Sequence, residues 1–333
     1  MAQTHRDIDS NLNTFLKLNG CSTALSFVAG DASPRTYYRV SSEAESRILM
    51  ISEDEKSKND SFLKIAKILK AEGFRAPQIY AEDFQNGFYL LEDLGDLTFN
   101  RALQEGISEK DLYQLGIKGL IEIHNKFQDN SHEIPSYNFD KFYEEASLLI
   151  DWYAPEVLKK PVPEEARNSY KSLWKNLYDA QPHLPQTLVL RDYMVDNLMW
   201  IPEEIDIQKL GILDFQDALW GPITYDLVSL LEEVRRDVDP HIVQKMLEIY
   251  LTAYPYFNVD DFYHSYYLWG AQRNSKIIGI FMRLAKRDGK TRYIDFIPRV
   301  WRLLENDLNH PALTTMKNWF EENLPTHLRV RPL

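Results

Sequence analysis

The sequence predicts an α+β protein of two lobes, a small β-rich lobe followed by a larger, mostly helical one. Three observations predict it. Up to residue 94, short apolar runs with strand character alternate with turn residues. After Asp96 the apolar residues recur at three and four, as on amphipathic helices. Residues 187–214 then insert three short apolar runs, each ending or starting at an Asp or Asn. With 333 residues the chain is long enough for two moderate cores. The composition change divides it at 1–94 and 95–333.

In order, residues 6–18 place Ile8, Leu12, Phe15 and Leu16 at helical spacing, and Asn19-Gly20 stops the helix. Runs 25–29, 36–40 and 47–51 read as a three-stranded meander. Asn59 or Asp60 is the expected cap of a helix over 61–72, whose stripe of Phe62, Ile65, Ala66 and Leu69 is core. Segments 76–82 and 87–95 supply two more strands, the second leaving its buried run through Glu92-Asp93-Leu94-Gly95. Helices follow at 108–127, 139–153 and 164–178, the last two separated by the proline-bearing segment 154–163. His124 falls on an apolar face, the setting of a packed histidine rather than a catalyst. The C-terminal third reads as helices over 225–238, 241–254, 260–286 and 293–322. Tyr263, Tyr266, Tyr267 and Trp269 recur at core spacing, and Gln272, Arg273 and Asn274 read as a solvated face, with the acceptor site as the alternative they could face.

The chemistry concentrates in residues 190–214. An apolar run ends at Arg191-Asp192, a second starts after Asn197, and a third ends at Asp214. This predicts two strands joined by a hairpin and preceded by a loop, delivering Asp192, Asn197 and Asp214 to one edge. A carboxylate and a carboxamide ligate a hard cation, and a second carboxylate is left to meet a substrate proton. The four residues between Asp192 and Asn197, with a strand-ending Asp downstream, match the spacing of a kinase catalytic loop and its metal-binding Asp. Asp192 then accepts or orients the acceptor hydroxyl, Asn197 and Asp214 hold Mg²⁺, and Asp217 is a neighbour. The plainer alternative is that Asp192 and Asn197 cap a turn.

These residues resemble the aminoglycoside phosphotransferase and choline kinase-like superfamily, whose fold is protein-kinase-like. Family members carry His-Gly-Asp where this chain has Leu190-Arg191-Asp192, and a similar Gly-Pro-x-x-Tyr-Asp-Leu segment at 221–227, in which Asp226 is expected to be a brace. The stretches Gly30-Asp31-Ala32-Ser33 and Asp214-Phe215-Gln216-Asp217-Ala218 are similar to one branch, the anomeric kinases of N-acetylmuramate and N-acetylglucosamine. The resemblance implies a bilobal kinase-like fold, ATP and Mg²⁺, and a sugar or amino-sugar acceptor. An aminoglycoside acceptor and a nucleotide-binding pseudokinase are the alternatives. It also implies that Gly30, Ser33, Arg35 and Arg39 serve the phosphates, and that the main chain at Glu92 and Leu94 reads adenine. Asp151, Trp152 and Tyr153 are candidates for acceptor contact. One departure stands out: the ATP-anchoring lysine expected in the third strand is Met50, which leaves Arg39, Lys56 or Lys58 to supply the charge.

Thirty-eight basic against fifty acidic residues, a net charge of −12, argue against general affinity for nucleic acid or anionic membrane. A single cysteine, Cys21, rules out an intramolecular disulfide and fits a reducing cytoplasm. The N-terminus lacks an apolar signal core, no apolar run is long enough to span a bilayer, and nothing points to an obligate protein partner.

Overall fold

The computed structural model describes residues 2–29, 35–42, 45–52 and 56–332. The chain forms two compact units, one of Met1–Leu112 with Val195–Ala218 and one of Tyr113–Met194 with Leu219–Leu333. Among the described residues no helix is long and apolar enough to cross a membrane.

The first unit opens with α1 (Ala2–Leu18) and the strands β1 (Ser26–Ala29), β2 (Thr36–Ser41) and β3 (Ser46–Ile51). Helix α2 (Lys56–Ala71), β4 (Ile79–Asp83) and β5 (Phe88–Glu92) follow, and the five antiparallel strands lie in the order β1-β2-β3-β5-β4. Tyr37 pairs with Met50 and Arg39 with Ile48, while Ile48 also pairs with Leu91. Because side chains alternate faces along a strand, Tyr37, Arg39, Ile48, Met50 and Leu91 share one face of the sheet. The opposite face, with Val40, Leu49, Phe88 and Leu90, buries against Leu12, Phe15 and Leu16 of α1 and against Cys21. The three-strand meander is therefore where the sequence pattern puts it. Helix α2 starts earlier than expected, so Asn59 is no cap: its side chain turns back to Ser52, donating to the carbonyl at 2.9 Å and accepting from Oγ at 2.9 Å. A short helix α3 (Phe99–Gln104), capped by the Thr98 hydroxyl, leads to α4 (Glu109–Lys126), along which the chain passes into the second unit.

There α5 (Phe139–Ala146) gives way to a π-helical turn, Leu149–Tyr153, then α6 (Ala154–Leu158), α7 (Glu164–Asp179) and the strand β6 (Gln186–Val189). The single helix expected over 139–153 is thus broken. Ser147 and Leu148 take the break, and Gly279 explains why it is tolerated. A Cβ at Gly279 would lie 2.2 Å from the Leu148 carbonyl carbon, so only glycine lets the helix containing it approach that backbone. Gly279→Ala is expected to lower stability by at least about 1–3 kcal/mol through overpacking, read as a drop in the denaturant midpoint.

The chain returns to the first unit for a hairpin, β7 (Leu198–Trp200) paired with β8 (Leu210–Ile212), as expected from the apolar runs. Back in the second unit, β9 (Leu219–Pro222) pairs with β6. Helices α8 (Tyr225–Leu231), α9 (Pro240–Ala253), α10 (Val259–Asp288), α11 (Ile297–Asp307) and α12 (Thr314–Asn323) complete it. Expected helix 225–238 ends at Leu231, and expected helix 293–322 is two helices, broken around His310-Pro311 because proline cannot continue a helix interior. The middle of α10 is buried on all sides, and aromatics fill the surrounding core: Trp269 packs edge-on to Phe142 at 5.0 Å between ring centres and lies 4.9 Å from Tyr137. Tyr266 and Trp269 are core as expected, but Tyr263 and Tyr267 are only half-buried.

The solvated face expected at residues 272–274 is instead fully buried. Each side chain meets a polar partner from a distant element. Gln272 donates to the Phe142 carbonyl at 3.0 Å, Arg273 to the Ser229 hydroxyl at 3.1 Å, and Asn274 to Glu232 and Asp307 at 2.7 and 2.8 Å. Their donors are thus paired, although the amide oxygens of Gln272 and Asn274 find no hydrogen-bond partner among the described residues.

Candidate active site

In the first unit the hairpin brings Asn197 and Asp214 together. Asn197 precedes β7, Asp214 follows β8, and the Leu213 N–H donates to the Asn197 carbonyl at 2.9 Å. The Asn197 carboxamide stands 3.5 Å from Asp214 Oδ2, and Gln216 donates to Asp214 Oδ1 at 2.6 Å. Asp214 adopts a left-handed backbone, φ +59°, which costs a non-glycine residue energy and turns the carboxylate out of the strand line. Behind it Phe215 stacks on Phe62 of α2, ring centres 5.3 Å apart and nearly parallel. Arg75 fastens the hairpin to the sheet: its carbonyl accepts from the Ile212 N–H at 2.8 Å, and its guanidinium pairs with Glu92 at 2.8 Å and Glu204 at 3.3 Å.

Asn197 and Asp214 line a cavity of about 550 Å³ that lies wholly within the first unit. Tyr37, Ile48 and Leu91 of the sheet line it, together with Phe62, Phe215 and residues 92–96. Apolar side chains with a set of polar groups among them are the usual build of a small-molecule site. Among the described residues the lining carries five carboxylates, on Glu92, Asp93, Asp96, Asp196 and Asp214, and two guanidiniums, on Arg35 and Arg101. A polyanion needs a bridging cation to settle there, and the oxygens of Asn197 and Asp214 are the hard donors such a cation takes. Asp196, which sequence reasoning missed, accepts from Asn100 of α3 at 2.7 Å, while Asp217 is not among the lining residues.

The strand exit is held by its own side chains. Asp93 accepts from Arg39 through both carboxylate oxygens, at 2.5 and 3.0 Å, from Ser46 Oγ at 2.6 Å and from the Gly95 N–H at 3.0 Å. Burial alone would raise the Asp93 carboxyl, but these donors hold it below its ordinary value. Gly95, with φ +85°, makes the turn that closes this set. Arg39 also reaches Asp96 at 2.9 Å. The guanidinium expected to serve phosphates is therefore engaged by the strand exit, and Arg39 is absent from the cavity wall. Glu92 and Leu94 do line the cavity, though the Glu92 N–H already donates to the Gln78 carbonyl at 2.8 Å. Arg35 lines the cavity too, while Gly30 and Ser33 lie outside the described residues.

Asp192 belongs to the second unit, on a loop clamped from several directions. Asp226 accepts from the Leu190 and Arg191 N–H groups at 2.6 and 2.9 Å, the Ser229 hydroxyl donates to the Arg191 carbonyl at 3.2 Å, and the Tyr193 hydroxyl donates to the Gly116 carbonyl at 2.8 Å. Asp226 is thus the brace the sequence suggested, and burial pushes its carboxyl up to about 7 despite the two donors. Arg191 is left-handed, φ +72°, the second strained non-glycine residue beside a site aspartate.

Arg191 spends its charge on Glu145, a contact no sequence window announced. Glu145 is buried on α5, ion-paired with Arg191 and with Lys276 at 3.6 Å, and accepts from the Tyr137 hydroxyl; Lys276 in turn donates to the Tyr225 hydroxyl at 2.9 Å. Burial would raise the Glu145 carboxyl, but Lys276, Arg191 and Tyr137 together take it down to about 2.

The acceptor candidates at 151–153 have structural duties. The Tyr153 hydroxyl, fully buried, donates to the Leu328 carbonyl at 2.6 Å and accepts from the Val330 N–H at 3.0 Å, and Asp151 pairs with Arg167. Trp152 packs against the aromatic core. His124 is a packed histidine as expected: its Nδ1 lies 2.7 Å from the Tyr250 hydroxyl, and burial lowers it to about 3.

With this geometry in view, the profile of the phosphotransferase enzyme family matches residues 24–259. An N-acetylmuramate/N-acetylglucosamine kinase of Caulobacter vibrioides is 33% identical over 277 residues, 81% of this chain and 76% of its own length. A kinase of the same name from Pseudomonas aeruginosa is 32% identical over 283 residues, 83% of this chain and 81% of its own. Among solved structures, choline kinase LicA from Streptococcus pneumoniae superposes with a TM-score of 0.60 at 15% identity, covering 94% of this chain and 99% of that one. The ADP-bound aminoglycoside phosphotransferase APH(2'')-Ib gives 0.58 at 15% identity, covering 92% and 98%. These likenesses show a kinase-like fold.

Proposed function

Because the chain belongs to the phosphotransferase enzyme family, we propose that it is an ATP-dependent kinase whose acceptor is the anomeric hydroxyl of N-acetylmuramate or N-acetylglucosamine. The observation that carries the reading is the pairing of Asn197 with Asp214 on the wall of the first unit's cavity, next to the strand exit at 92–96. The acceptor is taken from the relatives' names and from the share of the chain over which they match.

In this reading the apolar wall of Tyr37, Ile48 and Leu91 takes the adenine ring, and main-chain groups at 92–95 read its edge. Asn197 and Asp214 would hold Mg²⁺, which when bound would neutralise charge on the triphosphate. Asp192 accepts the proton of the sugar hydroxyl. The acceptor oxygen bonds to the γ-phosphorus, the bond from that phosphorus to the β–γ bridging oxygen breaks, and ADP leaves with the bond's electron pair. Because the transition state is loose, most of the acceleration is positioning and charge stabilisation, for which the clamped loop at Asp192 and the left-handed backbone at Asp214 are suited.

The test is a phosphate-transfer assay over a panel of N-acetylated amino sugars and aminoglycosides, paired with thermal-shift measurement of ATP binding with Mg²⁺. Transfer to N-acetylmuramate or N-acetylglucosamine, giving an acid-labile glycosyl phosphate, is expected. Nucleotide binding without transfer to any acceptor would overturn the catalytic reading, and transfer to an aminoglycoside alone would overturn the acceptor.

A further inference from the structure

Glu232 and Asp307 are buried carboxyl groups of the second unit that phosphoryl transfer does not use. Glu232 follows the last turn of α8 and Asp307 ends α11, so each sits at a helix C-terminus, where the backbone dipole disfavours a negative charge. They meet beside α10. The Asn274 amide nitrogen donates to Glu232 Oε2 at 2.7 Å and to Asp307 Oδ2 at 2.8 Å, and the two carboxyl groups lie within hydrogen-bonding reach of each other. At Gly270 the backbone of α10 closes on the Asp307 carboxylate, where a Cβ would come within 2.9 Å of it, which leaves no room for water on that side.

From α10 the pair is faced by Arg273, Tyr266 and Tyr267. The Arg273 guanidinium donates to the Ser229 hydroxyl at 3.1 Å and to the Glu232 carbonyl at 3.5 Å. One guanidinium offsets one negative charge, so a second carboxylate beside the first would stand uncompensated in a poorly solvated interior. A proton held between the two acids removes that charge and lets one carboxyl donate to the other. Burial, and then the charge of Glu232, push the Asp307 carboxyl well above its ordinary value, and burial raises Glu232 as well, against the pull of Asn274 and Arg273.

We propose that Glu232 and Asp307 share one proton in the folded protein, forming a proton-locked latch that ties the end of α8 to α10 and α11 and loosens when the proton is lost. The latch secures more than a helix end. Asp226 and Ser229, both on α8, hold the backbone of residues 190 and 191, directly before Asp192. A carboxyl raised on folding binds its proton more tightly in the folded state, so the latch contributes fully below the ordinary 4.5 and 3.8 of these groups and is lost as the pH rises through their folded values. Asp226, pushed up to about 7, gives the same sign, so the latch is read from the difference between wild type and a variant of the pair.

The test uses the full chain without ligands and two isosteres of a protonated acid, Asp307→Asn and Glu232→Gln. Either amide can donate to the remaining carboxylate and accept from Asn274, so the fold is kept without the shared proton, and each variant preserves the test should the other fail to fold. Denaturant midpoints are measured from about pH 5 to about pH 9. The wild-type midpoint is expected to fall relative to either variant as the pH rises, and amide exchange in α8, corrected for its intrinsic pH dependence, to accelerate more in the wild type. The protonated-carboxyl infrared band of the wild type at neutral pH is expected to shrink in both variants. A difference in midpoint that stays constant across this range, or a band of unchanged size in a folded variant, would overturn the shared proton.

Discussion

Asp192→Ala is expected to lower kcat about 10²–10⁴-fold, the range over which a positioned general base contributes, while ATP binding stays largely intact. The asymmetry follows from where the residues sit. The cavity with Asn197, Asp214 and the 92–96 strand exit belongs to the first unit, and Asp192 belongs to the second. Its aim is set by the Asp226 brace, the Tyr193 anchor and the left-handed Arg191, none of which the substitution removes. Turnover with saturating sugar, set beside calorimetric titration of ATP, checks both halves. Full turnover in a folded Asp192→Ala protein would exclude this residue from the proton transfer.

Glu145→Gln is expected to cost about 3–5 kcal/mol, because it removes the buried anion that Arg191 and Lys276 share. Its pH dependence gives the effect a signature. The Glu145 carboxyl sits at about 2 in the folded protein against 4.5 ordinarily, so its contribution is complete above about pH 4.5 and is lost as the pH falls towards 2. By linkage that depression corresponds to about 3 kcal/mol, in keeping with the cost of breaking the network. Denaturant midpoints of wild type and variant should differ most at neutral pH and converge in acid. A constant gap down to pH 3 would mean that the carboxylate's charge is not what stabilises the second unit. Since Arg191 directly precedes Asp192, the variant should also lose turnover, out of proportion to the fraction unfolded.

Two stretches show how far local pattern reaches. The β7–β8 hairpin was legible because Asn197 and Asp214 bracket two short apolar runs, and their 3.5 Å approach follows from pairing those runs in register. The meander was legible for the same reason: its alternation and its turns lie within a few residues of one another. Residues 272–274 misled because three polar side chains in a row look solvated to any local window. Their partners, Phe142, Ser229, Glu232 and Asp307, come from elements 33 to 130 residues away.

The charged groups divide in the same way. Sequence by itself determined the β-rich and helical lobes and singled out the aspartates and the asparagine proposed to carry the chemistry, and its resemblance to a known superfamily implied the kinase-like fold, since those signals lie in short-range periodicity and fixed intervals. Only the tertiary structure decided what the cations do. Arg39 is held at the strand exit, and Arg191 and Lys276 both pair with the buried Glu145. A long flexible cation reaches several candidate anions, and which of them it meets is set by the packing of distant elements, whose contacts leave no periodic trace in the chain.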